Sequence, residues 1–346
     1  MRRIGGLLAG WRGVGRFWLV VLATFWIGVG VLQVLGPPPQ RMGPRMAAPV
    51  IHADPMPVPH GTPDATTGSG RALPGPVADP DPALLEAIPG SPRAMLPRIA
   101  VDGRTPMAAY AAAFHPSTPR PRVGLLIAGI GMSGAETLDA INTLPGAVTL
   151  AISAYSFDIN PLLAVMRKAG HEYLLSVPME PLGYPVNDPD DRFALMTSLP
   201  PAENLKRLRA LLGRVTGYVG VTDAMGEMHG ERLAGTPDQL DSVLEEVAHR
   251  GLLFVDARVG QPGLAHAWNR PADLIIDDDQ VDAAMLDQRL MALTRMALDK
   301  GSALGIVSVP RPVTVERIVA WAKTLDSKGV ALAPVSALVL PPVKQE

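Results

Sequence analysis

No cysteine occurs among the 346 residues. That excludes disulfides and thiolate metal centres, but it leaves the compartment open, because many exported proteins lack cysteine as well. Charge is sparse, at 18% of residues, and the net −2 gives no basic footprint for nucleic acid. No P-loop and no H-E-x-x-H occurs. Histidine is scarce too. His52, His60 and His115 lie in or near a proline-rich stretch, His171 ends a helical pattern, and His249 sits on a polar helix face. Only His229, and less clearly His266, reach the strand ends, whereas a transition-metal site wants three or more converging donors. A glycine-rich turn at Gly129, Gly131 and Gly134 follows an apolar run, but no acidic residue ends the next run, where a dinucleotide ribose would be held. No cofactor is therefore expected.

The first thing present is a long apolar run. Residues 17–35 carry no charge. At 1.5 Å per residue they span about 28 Å, close to the roughly 30 Å of a bilayer core. Arg2, Arg3, Arg12 and Arg16 precede the run without an acid, so the net −2 leaves −6 for the remainder. Positive charge ahead of the span predicts a cytoplasmic N-terminus and an exported C-terminal part. Residues 1–36 are thus read as cytoplasmic tip and single transmembrane anchor in a bacterial inner membrane, with the rest in the periplasm. A cleaved signal peptide is the competing reading; its apolar region is normally shorter, and no A-x-A site follows.

Nineteen prolines fall between Pro37 and Pro119, with no apolar period around them. Such composition cannot bury enough surface to offset ordering entropy, so residues 37–95 are read as a disordered, semi-rigid spacer. Within it, 82–88 allow a helical turn. Residues 96–114 read as a strand and short helix docked on the following domain.

From residue 122 onward, short Val/Ile/Leu-rich runs alternate with amphipathic stretches. The runs cover 123–128, 148–153, 173–177, 218–221, 252–256, 274–276, 304–309 and 330–332. Runs apolar throughout suit strands buried on both faces. Thr236, Pro237 and Gln239 predict a capping box ahead of Leu240, Val243, Leu244 and Val247, with Gly251 as the stop. Helices are likewise expected after Pro201 and over 282–300. Seven or eight βα units over residues 96–346 predict an α/β fold, a distorted (β/α)7–8 barrel of parallel strands; a doubly wound sheet is the alternative. In either fold the site lies at the strands' C-terminal ends.

Those ends offer Tyr155 after the second run, Glu180 between Pro178 and Pro181 after the third, Asp223 after the fourth, Asp256 and Arg258 after the fifth, and the acidic run from Asp277 after the sixth. Paired carboxylates suit general acid–base work or a hard cation. Equally, Asp256 would cap a turn and pair with Arg258, and the run from Asp277 would be a solvated loop. Glu180, held between prolines, is presented rigidly.

Three segments resemble a known family: the run from Leu144 through Ser156; the run from Ala169 to Pro189, holding Pro178-Met179-Glu180-Pro181, Tyr184-Pro185 and Asp188-Pro189; and Gly217-Tyr218-Val219-Gly220-Val221 with Met225-Gly226, followed by 250–258. Over about residues 96–339 the chain resembles the divergent polysaccharide deacetylases. The resemblance implies a distorted barrel, periplasmic placement and a polysaccharide substrate. It also implies a metal ion held at the strand ends, and there the sequence departs from the family. Where the family carries Ile-Asp-Asp-Leu-Gly, with the second Asp as ligand, this chain has Ile127-Ala128-Gly129-Ile130-Gly131. Asn-Asn-His-Met-Gly becomes Thr222-Asp223-Ala224-Met225-Gly226. Gly-His-Pro-His-Pro becomes Ser308-Val309-Pro310-Arg311-Pro312, and a further family histidine is Ser176. Glu180, Tyr184, Asp188, Asp256 and Arg258 are kept.

The expectation is an envelope-glycan protein whose metal-dependent deacetylation is impaired or absent, with no metal assigned to it. Asp223, Asp256 and Glu180 are its candidate catalytic groups; Tyr155, Tyr184, Arg258 and Asp188 would contact sugar. The alternatives are a hydrolase working through relocated carboxylates, and a non-catalytic envelope scaffold. The expected partners are peptidoglycan or another polysaccharide, and the inner membrane.

Overall fold

A computed structural model describes Trp18 and residues 75–88, 91–115, 117–226, 228–277 and 282–343. The chain divides into two units between Thr66 and Thr67, and the second carries the strands and their connecting helices. Apart from Trp18, the apolar run 17–35 lies outside the described residues, as do most of the proline-rich stretch and Glu227. Among the described residues no helix is long and apolar enough to cross a membrane.

The strands run β1 (Leu85–Ile88), β2 (Ser91–Pro97), β3 (Arg122–Ile130), β4 (Thr149–Ser153), β5 (Tyr173–Ser176), β6 (Gly220–Thr222), β7 (Leu253–Asp256), β8 (Asn269–Pro271), β9 (Leu274–Ile275), β10 (Ser302–Val307) and β11 (Ala331–Leu332). The helices are α1 (Pro106–Ala109), α2 (Gly134–Thr143), α3 (Asn160–Lys168), α4 (Pro201–Leu212), α5 (Glu231–Ala234), α6 (Pro237–His249), α7 (Ala283–Lys300) and α8 (Pro312–Ala322). One parallel sheet has the order β8-β7-β6-β5-β4-β3-β10-β9. Its two end strands belong to a single extended run. Ala272 still donates to the Asp256 carbonyl (2.8 Å), and Asp273 already donates to Leu304 (2.9 Å). One stave is therefore shared between β7 and β10, and the sheet curls round as a distorted (β/α) barrel of seven staves. β11 pairs with the start of β3, on the side that β4 reaches only further along.

Two cores follow from the alternation of side chains along each strand. Val123, Leu125 and Ile127 belong to the outer core with Ile141, Leu290 and Leu293 of the helices. Leu126, Leu174, Val255, Leu304 and Ile306 fill the barrel. Its N-terminal end is plugged by Val77, Leu84, Tyr110, Val335 and Leu338. The plug is held by Glu172, wholly buried, which accepts hydrogen bonds from Ala112 N (2.9 Å), Thr149 Oγ1 (3.0 Å) and Ser336 N (2.9 Å). The opposite end, where the strands finish, carries no such plug among the described residues.

Of the stretch 37–95, residues 75–88 and 91–95 are among the described residues. Residues 82–84 form a 3-10 turn, and β1 and β2 pair antiparallel. Proline tolerates this hairpin because an edge strand needs only part of its N–H row. Arg250, nearly buried, ties it down by donating to the Pro97 carbonyl (2.9 Å). The capping box at Thr236 does not form. Thr236 Oγ1 donates backward to Arg232 O (3.2 Å), and Gln239 is drawn into contacts with Leu199 O and Asn204. Tertiary partners outcompete the local cap there.

Candidate functional site at the strand ends

Asp223 follows β6 and is 1% exposed. Its Oδ1 accepts from Ala257 N at 2.7 Å, and its Oδ2 has no partner among the described residues. Burial, and after it the neighbouring Asp256, push this carboxyl well above the usual carboxylate range, while the Ala257 amide pulls the other way. Burial therefore favours the protonated form of Asp223, in which one oxygen donates and the other accepts.

Asp256 ends β7 and is completely buried. Arg258 grips it in a fork, with Nε to Oδ1 at 2.9 Å and Nη2 to Oδ2 at 2.7 Å, and the Arg258 amide adds 3.0 Å to Oδ1. This geometry is the bidentate one for which arginine is preferred. The pairing expected from the sequence is thus present, and Asp223 and Arg258 lie close enough to interact electrostatically.

Asp277 is also buried rather than solvated. It accepts from Ser308 N (2.6 Å) and Val309 N (3.2 Å) and meets Arg311 Nη1 at 3.4 Å. These bonds fasten the end of β9 to the end of β10. His229 follows β6 at the same end. Burial holds its imidazole below the ordinary value, against the pull of Glu231, Asp277 and Asp256, and Nε2 has no partner among the described residues. Ser176, at the end of β5, has a buried hydroxyl that likewise has none among them. A run of aspartates reads in sequence as a solvated loop, and only the pairing of β9 with β10 reveals that its first member, Asp277, is buried.

Glu180 belongs to a different arrangement. It is buried, and its Oε2 accepts from Thr197 N (2.6 Å) and Thr197 Oγ1 (2.7 Å), while Oε1 meets Arg232 Nε at 3.2 Å. Its carbonyl also accepts from Arg232 N and Leu233 N. With its oxygens occupied, Glu180 clamps the 178–197 loop onto α5.

The loop carries the remaining candidates. Tyr155 donates its hydroxyl to the Pro189 carbonyl. Burial raises the phenol above its ordinary range, and the nearby Asp190 and Asp188 add to the effect. Tyr184, after which the peptide to Pro185 is cis, donates to Asp191 Oδ2 at 3.1 Å. Asp188 Oδ1 caps the Asp191 amide at 3.1 Å. No hydrogen bond runs directly from Tyr155, Tyr184 or Asp188 to Asp223, Asp256 or Arg258 among the described residues. The candidates therefore form a buried acidic pair with its arginine, and a separate polar loop beside it.

The ion that the resemblance implies does not fit this donor set. Gly129 offers no side chain. Its φ is +73°, and a Cβ there would lie 3.2 Å from the Ser308 carbonyl oxygen. Ala224 is a buried methyl, and Arg311 brings a positive charge already directed at Asp277. Among the described residues no three His, Cys, Asp or Glu side chains are placed to hold a metal ion.

A crystal structure of an uncharacterised protein from Agrobacterium tumefaciens C58 is similar, with 30% sequence identity, a TM-score of 0.64, and coverage of 71% of this chain and 100% of that one. A putative cellobiose-phosphate cleavage protein of Enterococcus faecalis V583 is similar at 12% identity and TM-score 0.44, covering 64% of this chain and 100% of that one. The catalytic domain of a peptidoglycan N-acetylglucosamine deacetylase from Eubacterium rectale is similar at 12% identity and TM-score 0.42, covering 69% and 98%. No curated protein matches. The profile of the divergent polysaccharide deacetylases matches residues 125–339, more than half of the sequence. The chain belongs to the divergent polysaccharide deacetylase family.

Proposed function

We propose that this chain is a membrane-anchored periplasmic glycan-binding protein that holds an envelope polysaccharide at the barrel's strand ends without metal-dependent deacetylation. One observation carries the reading. Buried polar atoms at the strand ends, Ser176 Oγ, Asp223 Oδ2 and His229 Nε2, lack partners among the described residues, while Gly129, Ala224 and Arg311 stand where the family carries metal ligands. Each unpaired buried polar atom costs about 1–3 kcal/mol. A polyhydroxylated ligand supplies donors and acceptors together and relieves that cost. The buried Asp223 carboxyl suits it, since its favoured protonated form donates as well as accepts. The anchor and the periplasmic placement are supported by the uncharged run 17–35 and the arginines ahead of it.

The test is calorimetric titration of the full-length chain with N-acetylglucosamine oligomers and peptidoglycan fragments, in buffers with and without chelator. Binding that chelator leaves unchanged is expected. Absence of binding to either glycan would remove the reading. Tag accessibility to protease in spheroplasts checks placement; a protected C-terminal tag would count against the periplasm.

A second reading has its own observation. Asp223, whose burial favours the protonated acid, and His229, whose burial favours the free imidazole, both lie near Asp256, and an acid beside a base is what metal-free acid–base hydrolysis requires. It predicts glycan cleavage or acetate release that Asp223→Asn abolishes.

A further inference from the structure

Beside Tyr155, between the end of β4 and the start of α3, lies a small polar pocket of about 100 Å³. Ser153, Ser156, Asn160 and Arg214 line it, together with Asp158. Ser156 is 6% exposed, yet its hydroxyl makes no hydrogen bond among the described residues. Arg214 has no carboxylate partner among them; its one bond is a long 3.3 Å contact from Nη2 to the Ser156 carbonyl. The nine-residue helix α3 begins there without a side-chain cap. An uncapped helix start, the accessible hydroxyl of the otherwise buried Ser156 and the exposed Arg214 guanidinium therefore meet in a space the size of a few heavy atoms. Each favours negative charge. Against them stands Asp158, exposed and held at φ +50°, whose charge opposes an anion.

We infer that this pocket is an oxyanion subsite that receives a carboxylate carried by the bound glycan. The inference rests on the proposed glycan binding and narrows the ligand to acidic sugars. Arg214 supplies the charge and the Ser156 hydroxyl a hydrogen bond. The Asp158 carboxylate sets a limit on affinity, which Asp158→Asn lifts. Tyr155 adjoins the pocket and also holds the 178–197 loop through Pro189, so the subsite lies next to the candidate sugar-contacting residues.

The experiment labels Arg214 of the full-length chain with phenylglyoxal and follows the modified peptide by mass spectrometry. The probes are sodium acetate, the N-acetylglucosaminyl–N-acetylmuramic acid disaccharide, and that disaccharide as its methyl ester, which lacks only the charge. Acetate and the acid should slow labelling; the ester should not. The acid should bind roughly tenfold tighter than the ester, as expected for one charge-assisted contact. That preference should vanish in Ser156→Ala and in Arg214→Gln, read there by calorimetry, and should grow in Asp158→Asn. Unchanged labelling in acetate, or equal affinity for acid and ester, overturns the subsite. Protection by acetate with no response to either sugar supports the anion pocket and removes the glycan reading instead.

Discussion

Replacing Asp223 by asparagine should make the protein more stable at neutral pH, and by an amount that grows with pH. The side chain is almost fully buried, one oxygen accepts from the Ala257 amide, and the other has no partner among the described residues. Burial, then Asp256, raise its folded pKa above the unfolded value of about 3.9. Below about pH 4 both states hold the proton and nothing is lost. Between the unfolded and the raised folded value, only the folded protein stays protonated. Stability then falls as pH rises, by about 1.4 kcal/mol for each pH unit in that window. Above the folded value the loss is complete and constant. Asparagine keeps the acceptor for Ala257 and cannot ionise, so it removes the slope that this site contributes. In a unit of this size each kcal/mol corresponds to roughly 2–4 °C in Tm. Thermal unfolding of wild type and Asp223→Asn from about pH 4 upward should therefore show a gap in favour of the variant that widens until the folded value is passed and then stays constant. A variant less stable by the same margin at every pH would refute the raised folded value.

Other perturbations separate the two polar arrangements. Arg258→Ala leaves Asp256 buried without its fork and should cost about 3–5 kcal/mol in denaturant unfolding; a loss below about 1 kcal/mol would show that solvent reaches the pair. Glu180→Ala strips Thr197 and Arg232 of their acceptor and should cost about 2–4 kcal/mol while loosening the loop 178–197, read as faster proteolysis there. Unchanged stability and proteolysis would instead free Glu180 for a role in chemistry.

Much of the barrel was legible because buried parallel strands are apolar throughout. All eight apolar runs correspond to strands, β3 to β7 and β9 to β11. β8 was not legible: Asn269-Arg270-Pro271 has no strand character of its own, and its pairing with β7 comes from closing the barrel. The β1–β2 hairpin was hidden by proline composition, which reports propensity and not the docking contact that Arg250 supplies. At the candidate site, Asp223, Asp256 and Arg258 came together as strand-end reasoning expects. Glu180 could not be sorted from them, because one sequence does not reveal that Thr197 and Arg232 consume its oxygens. The burial of Asp277 and the unpaired atoms of Ser176 and His229 were invisible for a related reason: being buried or unsatisfied is a property of neighbours and not of residue type.

The central claim is that the family's strand-end cleft is retained here without its metal chemistry. Acetate release from N-acetylglucosamine oligomers by the full-length chain, assayed across added Zn²⁺, Co²⁺, Mn²⁺ and Mg²⁺ and in chelator, tests it most directly. No release above the protein-free control is predicted with any metal, whereas metal-dependent release that chelator abolishes would contradict it.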